Sequence, residues 1–322
     1  MGLFTGRRKD AEIIKPKDAI GAIIPFMYPN RCDAEVSSRY ELDITKLVEF
    51  VDKQNEKDLG YKMTYFHALS SCFAKTVYNR PALNRFVKDK RLYQRNKITF
   101  AFVAKDKFTD SGEERMISID IEPKDNVMTY SKKVAVDVFK VRKEGSNDMD
   151  GILKFFLSLP KWILSIVVKI VFFLDRKGIN PDAITKGDLN YSTILLSNLG
   201  SIKTNSVYHH LNEYGTNSIV VTIGTIKEEN GKKIVDIIAT LDERIADGFY
   251  FAKSIQLAEY LAKNPELLLE DFETKVEIEK LEKDQKEKPK KFEIKNWNRN
   301  ISVLLSNFTR FRIKKRLTKH TV

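Results

Sequence analysis

The spacing of apolar residues predicts two helices near the N-terminus of the chain. The first follows a short strand that ends near Leu42, and Leu47, Phe50 and Val51 share one face of it. The second covers "MTYFHALSSCFAKTVYN", and Pro81 ends it. Its apolar face consists of Phe66, Leu69, Phe73 and Val77. We interpret His67, which lies in this helix, as a packing or surface residue, with a catalytic role as the alternative.

Alternating and continuous apolar runs predict strands in the rest of the chain. "KITFAFVAKD" and "ERMISIDIEP" form one predicted hairpin, and "YSTILLSNLGS" is a strand that ends in a glycine turn. The run "NSIVVTIGTIKEENGKKIVDIIATLDER" predicts a second hairpin, with Asn230 and Gly231 in a type I′ turn. Both of its strands are too apolar to have a face in water, so we expect this hairpin at the centre of a sheet.

Residues 152–174 are the most apolar stretch, and they allow two interpretations. Their length suits a membrane span, but Lys154, Lys161 and Lys169 are distributed along them and Pro160 breaks them. Each charge near the centre of a bilayer costs about 3 kcal/mol, so we do not expect a span. The segment is either a helix buried against the body or another subunit, or a lid or membrane-surface element.

Charge divides the chain into a nearly balanced body and a basic tail. The formal net charge is +12, and residues 275–322 hold 15 Lys and Arg against 6 Asp and Glu. We place domain boundaries at 1–18, a polar arm, at 19–272, a globular domain that contains the 152–174 insertion, and at 273–322, a basic amphipathic tail. The tail is either solvated or binds an anionic membrane surface through residues 297–319. We do not expect nucleic acid as a partner.

Composition and missing motifs exclude several classes of protein. The two cysteines, Cys32 and Cys72, have no Cys-x-x-Cys spacing, which fits a reducing cytoplasm and no disulfide framework. The four histidines lack metal-ligand spacing, so we expect no metal site. The sequence contains no nucleophile elbow, zinc-protease motif or dinucleotide fingerprint.

Charged residues cluster where a predicted central strand, 234–241, meets a predicted helix. Asp242, Glu243 and Arg244 follow the strand, and Asp247 is a candidate N-cap of the helix. Composition alone favours a purely structural role for these residues, as a charged corner with a helix N-cap. The alternative is a corner that presents one side chain into a cleft while its backbone is held in place.

The order of these elements resembles a known family. "SNLG" after a strand, an apolar hairpin, D-x-R-x-x-D-G and "AKNPELLLE" at a helix end are similar to the catalytic domain of the 2-oxo acid dehydrogenase acyltransferases (dihydrolipoyl acyltransferases). In the N-terminal half, "ELDITKL" and "PALN" also resemble the corresponding segments of this family. The sequence is similar, more remotely, to chloramphenicol acetyltransferase. The resemblance covers roughly residues 20–270 and is poor over 100–185. It implies an α/β two-layer sandwich, a mixed sheet covered by helices, and a homotrimer.

The resemblance also implies roles for particular residues. In the family motif D-H-R-x-x-D-G the histidine is the general base, and here that position is Glu243. Ser197, before Asn198, would donate a hydrogen bond to the oxyanion. Asp247 would be braced by Arg31, which we favour over Arg39. The supporting residues would be Arg31, Asn198, Arg244 and Gly248.

Glutamate at the base position leaves three outcomes open. The ordinary pKa of a glutamate, about 4.3, lies below that of a histidine, about 6.5, so the carboxylate is the weaker base. Burial would strengthen it, whereas Arg244 and the start of the helix would weaken it. The chain is therefore a slow or altered acyltransferase, a binding protein for acyl-CoA or a partner, or a structural trimer subunit. Because family sites are built from two subunits, His209 or His210 could supply a replacement base across an interface; the alternative is a surface loop pair.

The substrates follow from the same resemblance. We expect a coenzyme A thioester as donor and a hydroxyl or thiol acceptor, either a small molecule or carrier-bound. Only about 20 residues precede the matching region, without a lipoyl-lysine hairpin, so we expect a free-standing protein with no covalent lipoyl group. The expected location is the cytoplasm, with membrane association as the variant. The competing function is a non-catalytic scaffold that binds acyl-CoA, a partner or a membrane surface.

Overall fold

The computed structural model describes residues 6–105, 109, 114–144, 156 and 158–277, and its strands form two sheets. The strands are β1 (Ala11–Ile13), β2 (Glu35–Asp43), β3 (Arg85–Lys88), β4 (Arg91–Arg95), β5 (Ile98–Lys105), β6 (Glu114–Ile121), β7 (Ile194–Asn198), β8 (Ile219–Glu229) and β9 (Lys232–Asp242). The large sheet has the order β2-β9-β8-β7-β5-β6, and the small one β1-β4-β3. In the large sheet β7 runs parallel to β5 and β8, and the other pairs are antiparallel. The sheet is therefore mixed.

Helices pack on one face of the large sheet. The helices of the described residues are α1 (Ala19–Met27), α2 (Thr45–Asn55), α3 (Tyr65–Asn79), α4 (Val127–Glu144), α5 (Lys161–Lys177), α6 (Asp182–Thr185) and α7 (Gly248–Lys263). Four of them, α2, α3, α4 and α7, form the second layer. α3 contacts α2, α4 and α7, and its residues from Phe66 to Val77 are all buried. One hydrophobic core joins these four helices to the large sheet. The predicted fold, a two-layer α/β sandwich with a mixed sheet covered by helices, is confirmed.

The central hairpin of the sheet is the predicted one. β8 and β9 pair from Ile219 opposite Leu241 to Glu229 opposite Lys232, and each also pairs with a further strand. Asn230 and Gly231 connect them with φ of +52° and +74°, the positive values that a type I′ turn requires at both positions. The turn and the central position are both confirmed.

Alternation along β8 and β9 gives the large sheet two different faces. Successive side chains of a strand point to opposite faces. On the helix side, β8 contributes Ile219, Val221 and Ile223 to the core. The opposite face carries buried polar residues, namely Thr222, Asp236, Thr240 and Asp242. The segment after β7 covers this polar face, because Thr222 donates its hydroxyl to the Val207 carbonyl at 2.7 Å and Ser206 donates to Asp236 at 2.5 Å.

The predicted polar arm, residues 1–18, contains part of the fold. β1 pairs antiparallel with β4, and Ala11 packs with Phe86 and Tyr93 in a small second core. The guanidinium carbon of Arg8 lies 5.1 Å from the centre of the Phe86 ring, a cation–π contact. From residue 6 onward the arm is thus a structured element rather than a solvated extension.

The apolar insertion differs from its predicted form. α5 begins after Pro160 and ends at Lys177, three residues beyond the predicted 174, and residues 151–155 and 157 lie outside the described part. Trp162, Ile166 and Ile170 are 68%, 51% and 52% exposed, so the interpretation of a helix buried against the body of this chain is wrong. In the described residues, none of the helices has both the length and the apolar character that crossing a membrane requires.

The C-terminal boundary lies near the end of the described residues. Phe272, the last residue of the predicted globular domain, is fully buried, and its N–H donates to the Asp125 carbonyl at 2.7 Å. Residues up to Val276 form one compact unit. The predicted tail beyond residue 277, including 297–319, lies outside the described residues.

Candidate active site

The strand-to-helix corner forms where β9 ends and α7 begins. β9 ends at Asp242, and α7 starts at Gly248. Asp247 is the N-cap of α7, and its carboxylate accepts a hydrogen bond of 2.7 Å from the Tyr250 N–H. The side chain is exposed. Asp247 therefore stabilises the start of the helix, as its position in the sequence predicts.

A buried ion group lies directly behind the corner. The fully buried carboxylate of Asp242 accepts from Arg244 Nε and Nη2, both at 2.8 Å. Arg31 Nε lies 3.8 Å from the same carboxylate, and the Arg31 side chain is also fully buried. Burial lowers the pKa of Arg31, and the charge of Asp242 acts in the opposite direction.

The predicted pair between Arg31 and Asp247 is replaced by the pair between Arg31 and Asp242. A buried carboxylate partner offsets part of the cost of desolvating a buried guanidinium, whereas Asp247 points to solvent as a helix cap. Asp242 follows Thr240 with the strand period of two, so it lies on the polar face where Arg31 donates to the Asn212 and Gly215 carbonyls. Arg39, the other candidate, pairs with Asp236 at 2.6 Å.

A second buried ion pair adjoins the first. Lys88 Nζ lies 2.6 Å from the buried carboxylate of Asp175 in α5. Lys88 also donates to the Gly215 carbonyl at 3.0 Å, the group that accepts from Arg31 at 3.2 Å. The Tyr191 hydroxyl donates to Asp175 at 2.8 Å. The inner side of α5 is thereby connected to the corner through polar contacts.

Glu243 is positioned by its backbone and has a free carboxylate. Its N–H donates to the Ala34 carbonyl at 3.0 Å, and the residue is half-buried. Within the described part of the chain, the carboxylate forms no hydrogen bond or ion pair. Arg244 is bound to Asp242 and to the Tyr28 carbonyl at 2.9 Å. The carboxylate at 243 is therefore available to a ligand or to another subunit.

Ser197 lies at the end of β7 on a backbone that is tightly enclosed. Its hydroxyl forms no hydrogen bond to any residue described, and the residue is half-buried. The neighbouring Asn198 accepts from the Tyr65 hydroxyl at 3.3 Å. A Cβ at Gly200 would lie 2.5 Å from the Gly224 carbonyl oxygen, so only glycine fits there. This contact explains the glycine of "SNLG" and holds the strand end in place.

One chain does not bring Ser197 and Glu243 together. Ser197 lies opposite Thr222 of β8, and Thr222 lies opposite Ile238 of β9. Glu243 is five residues beyond Ile238, which is about 16 Å along the strand direction, and two strand spacings add about 10 Å across the sheet. The two residues can meet only if different copies of the chain contribute them.

His209 and His210 are exposed on the segment that covers the polar face. His209 Nδ1 lies 2.7 Å from the His210 carbonyl oxygen. Just after the pair, the Leu211 N–H donates to the Glu35 carboxylate at 2.5 Å, and Glu35 lies opposite Asp242 in the sheet. The pair is a surface loop pair within this chain, and its role as a replacement base stays a prediction.

Sequence reasoning missed a cavity of about 1100 Å³ beyond the ends of β5 and β7. Asn198 and His67 are among its lining residues. His67 is buried, its Nδ1 accepts from the Thr64 N–H at 3.2 Å, and desolvation lowers its pKa to about 4. The neutral ring therefore carries its proton on Nε2. The sequence indicates the position of His67 through one feature only. The Thr64-x-x-His67 spacing at a helix start resembles a capping box, in which the His67 side chain accepts from the Thr64 N–H.

Among the described residues, no group of three or more His, Cys, Asp and Glu side chains could hold a metal ion. Cys32 is exposed and Cys72 is buried, and both are free. Burial raises the pKa of the Cys72 thiol, so this thiol is not a nucleophile at neutral pH.

Comparison with known proteins gives structural matches only. No protein-family model matches the sequence, and no curated protein matches it. A probable dihydrolipoamide acetyltransferase from Listeria monocytogenes 4b F2365 is 12% identical, with a TM-score of 0.50, over 79% of this chain and 95% of that chain. A truncated catalytic core of the 2-oxoacid dehydrogenase multienzyme complex from Thermoplasma acidophilum is 15% identical, with a TM-score of 0.51, over 79% of this chain and 99% of that one.

A third solved structure is the dihydrolipoamide acetyltransferase of Azotobacter vinelandii, in which a serine, a histidine and an asparagine were investigated for roles in catalysis. It is 14% identical, with a TM-score of 0.52, over 80% of this chain and 94% of that chain. At identities this low, the similarity shows the fold and leaves the reaction to be argued from the site. The chain has the α/β fold of the acyltransferase cores of 2-oxoacid dehydrogenase complexes.

Proposed function

We propose that the protein transfers an acyl group from a coenzyme A thioester to a hydroxyl or thiol acceptor. The observation that carries the proposal is the free hydroxyl of Ser197, held at a rigid strand end in a fold shared with acyltransferase cores. A hydrogen-bond donor fixed in this way can stabilise an oxyanion without reorganising during the reaction. The acceptor is a small molecule or a carrier-bound group.

The proposed site combines residues of two copies in a homotrimer. Ser197 of one copy donates its hydroxyl to the thioester oxygen as the acceptor attacks the carbonyl carbon. Glu243 of the other copy takes the proton of the acceptor. The new C–O or C–S bond forms, the C–S bond to coenzyme A breaks, and the departing thiolate receives the proton from Glu243. Asp242, with Arg31 and Arg244, positions the backbone that carries Glu243.

In the proposed site the general base is a carboxylate, which is a weaker base than the histidine of the family motif. General-base assistance contributes about 10²–10⁴-fold, and a carboxylate is intrinsically a weaker base than an imidazole, so it supplies only part of this factor. Turnover is therefore slow, or it depends on His209 or His210 of a neighbouring copy. The binding-protein and structural-subunit outcomes are the limits in which this assistance is lost.

Replacing Ser197 with alanine tests the proposal. We expect kcat for transfer, measured as free thiol released from acetyl-CoA or palmitoyl-CoA, to fall about 10²-fold, because removal of one oxyanion donor has this effect. Ser165→Ala, at an exposed position of α5, is the matched control and should retain the wild-type rate. Equal rates in the two variants would remove the oxyanion role of Ser197.

A second candidate function, a scaffold on a membrane surface, has its own supporting observation. Trp162, Ile166, Ile170 and Phe173 form an exposed apolar stripe on α5. The exposed charges of the helix, on Lys161, Lys169 and Arg176, are all positive, with Lys169 within the stripe, and its carboxylate, Asp175, is buried. An exposed apolar stripe that contains a tryptophan and has basic residues within and beside it is typical of a helix that lies in an anionic membrane interface.

Vesicle sedimentation checks this second function. With vesicles rich in anionic lipid, Ile166→Glu should weaken binding at least about tenfold, because it removes roughly 2 kcal/mol of apolar transfer free energy and adds a negative charge. Leu269→Glu, at another exposed apolar position, should bind like the wild type. Equal binding of the wild type to anionic and uncharged vesicles, or equal losses in the two variants, would contradict the role of α5.

A further inference from the structure

The cavity beyond the ends of β5 and β7 is built from four separate segments. These are the connection before α3, the first turn of α3, the end of β5, and the middle of α4, with Asn198 and Ser201 closing one side. Its volume is about 1100 Å³, which lies in the range of sites for drug-sized or larger ligands. The proposed chemistry of Ser197 and Glu243 does not itself use this cavity.

The walls of the cavity are apolar, and part of this apolar surface is exposed. The apolar side chains that line it include Phe66, Phe102, Val103, Val136, Val138 and Phe139. Phe66 and Phe102 pack edge to face with ring centres 5.4 Å apart. Val103, Val136 and Phe139 are exposed, Phe139 by 64%. Exposed apolar residues that line one concave surface mark a ligand groove, in contrast to apolar residues scattered singly.

The charged residues of the cavity all have one sign. Four lysines line it, namely Lys62, Lys105, Lys132 and Lys140. None of the described lining residues is Asp or Glu. Cations around low-dielectric walls concentrate a positive potential, so the ligand that complements this cavity has an apolar body and an anionic end.

One polar group within the apolar part has no partner. His67 is 7% exposed, and its Nδ1 is occupied by the Thr64 N–H. Nε2 carries the proton and has no hydrogen-bond partner among the described residues. This N–H opens onto the cavity, where a carbonyl or thioester oxygen of a ligand can accept a hydrogen bond from it.

From these features we propose that the cavity binds a long aliphatic acyl chain with an anionic end. The chain lies along Phe66, Phe102 and Phe139, and the anionic end lies among the lysines. The anionic end is either the carboxylate of a fatty acid or the phosphates of a fatty-acyl thioester. Binding follows from the cavity alone. Asn198 lines the cavity on the helix side of the sheet, whereas Ser197 pairs with Thr222 on the opposite, polar face. The acyl-chain site is therefore separate from the proposed oxyanion donor.

Titration calorimetry with acids of different chain length tests the proposal. With octanoate, dodecanoate and hexadecanoate below their critical micelle concentrations, the affinity should rise about fourfold for each added methylene until the cavity is full. Hexadecanoate and palmitoyl-CoA should both bind far more tightly than coenzyme A alone. Tight binding of palmitoyl-CoA together with weak binding of hexadecanoate would identify the thioester as the ligand.

Two matched pairs of variants locate the site. Phe139→Glu should weaken hexadecanoate binding at least about tenfold, whereas Phe26→Glu, at a residue 60% exposed on α1, should not change it. The double variant Lys132→Glu/Lys140→Glu should weaken binding and remove its dependence on salt, whereas Lys46→Glu/Lys53→Glu, at exposed positions of α2, should not. Equal affinity for octanoate and hexadecanoate, or equal effects within either pair, would overturn the proposal.

The failure of the inference and the failure of the proposed function are distinguishable. Ser197→Ala should bind hexadecanoate like the wild type, because its hydroxyl is no part of the cavity lining. If the protein binds hexadecanoate but transfers an acyl group from none of the thioesters, the proposed acyl-chain site stands and the proposed acyl transfer is rejected. If the protein transfers the acetyl group of acetyl-CoA but does not bind hexadecanoate, the proposed acyl transfer stands and the proposed acyl-chain site is rejected.

Discussion

Replacing Asp242 with alanine is expected to lower the free energy of unfolding by about 3–5 kcal/mol, because it leaves buried arginines without their carboxylate. Arg31 is fully buried at 3.8 Å from Asp242, and Arg244 donates two hydrogen bonds of 2.8 Å to it. In the variant both guanidiniums keep only backbone carbonyls as hydrogen-bond partners, so no bound carboxylate offsets the desolvation of the two positive charges. Urea denaturation followed by circular dichroism measures the change.

Asp247→Ala is the matched control, five residues away at the same corner. Its carboxylate is exposed and caps α7 through one hydrogen bond of 2.7 Å, so its loss should cost about 1 kcal/mol. The contrast also decides which aspartate Arg31 depends on. A larger loss of stability in Asp247→Ala than in Asp242→Ala would restore the sequence-based pair and contradict the one seen in the structure.

The elements of the fold could be predicted because their signals are local. The turn at Asn230 and Gly231 requires positive φ at both residues, and few sequences supply that. The burial of α3 on its Phe66, Leu69 and Phe73 face follows from helical period alone. The central position of β8 and β9 was predicted because both strands are rich in apolar residues. In the structure one face of the two strands is apolar, and the other face carries buried polar residues that the segment after β7 covers.

The roles of the charged residues at the corner needed the structure. The sequence predicts Asp247 as the helix cap and places Glu243 at the position of the family's base, but sequence reasoning did not predict that Asp242 is buried, Glu243 half-buried and Asp247 exposed. The strand period carried past Thr240 places Asp242 on the buried face, and this signal was present in the sequence. Arg31, more than 200 positions away in the chain, is brought to it only by the pairing of β2 with β9.

The cavity and α5 show two further limits of sequence reasoning. The lining of the cavity comes from segments far apart in sequence, and the motifs among them, Thr64-x-x-His67 and "SNLG", do not state that the segments meet. Apolar composition left two interpretations open for residues 152–174, burial against the body or another subunit and a lid or membrane-surface element, because composition does not state which surface covers a helix. In α5, the inward side is fixed by the ion pair of Asp175 with Lys88 at 2.6 Å, so the apolar stripe faces outward.

The proposed site makes its strongest prediction when two inactive variants are mixed. Ser197→Ala and Glu243→Ala should each lose most transfer activity, because every site in each pure oligomer lacks one of the two groups. The ladder from Ser197 through Thr222 to Ile238 keeps Ser197 far from Glu243 of the same chain, so a complete site draws them from two copies. In an oligomer assembled at random from equal amounts of both variants, about one quarter of the sites receive an intact residue 197 and an intact residue 243.

Co-expression with two affinity tags and purification through both tags provides these mixed oligomers, and thiol release measures their activity. Recovery to about one quarter of the wild-type rate or above would assign the two residues to different subunits, since tandem purification removes the pure oligomers. Activity no higher than that of the parents would reject a shared site. Full activity in Glu243→Ala alone would remove the carboxylate from the mechanism and direct attention to His209 and His210, which lie on the segment bonded to Glu35 beside the corner.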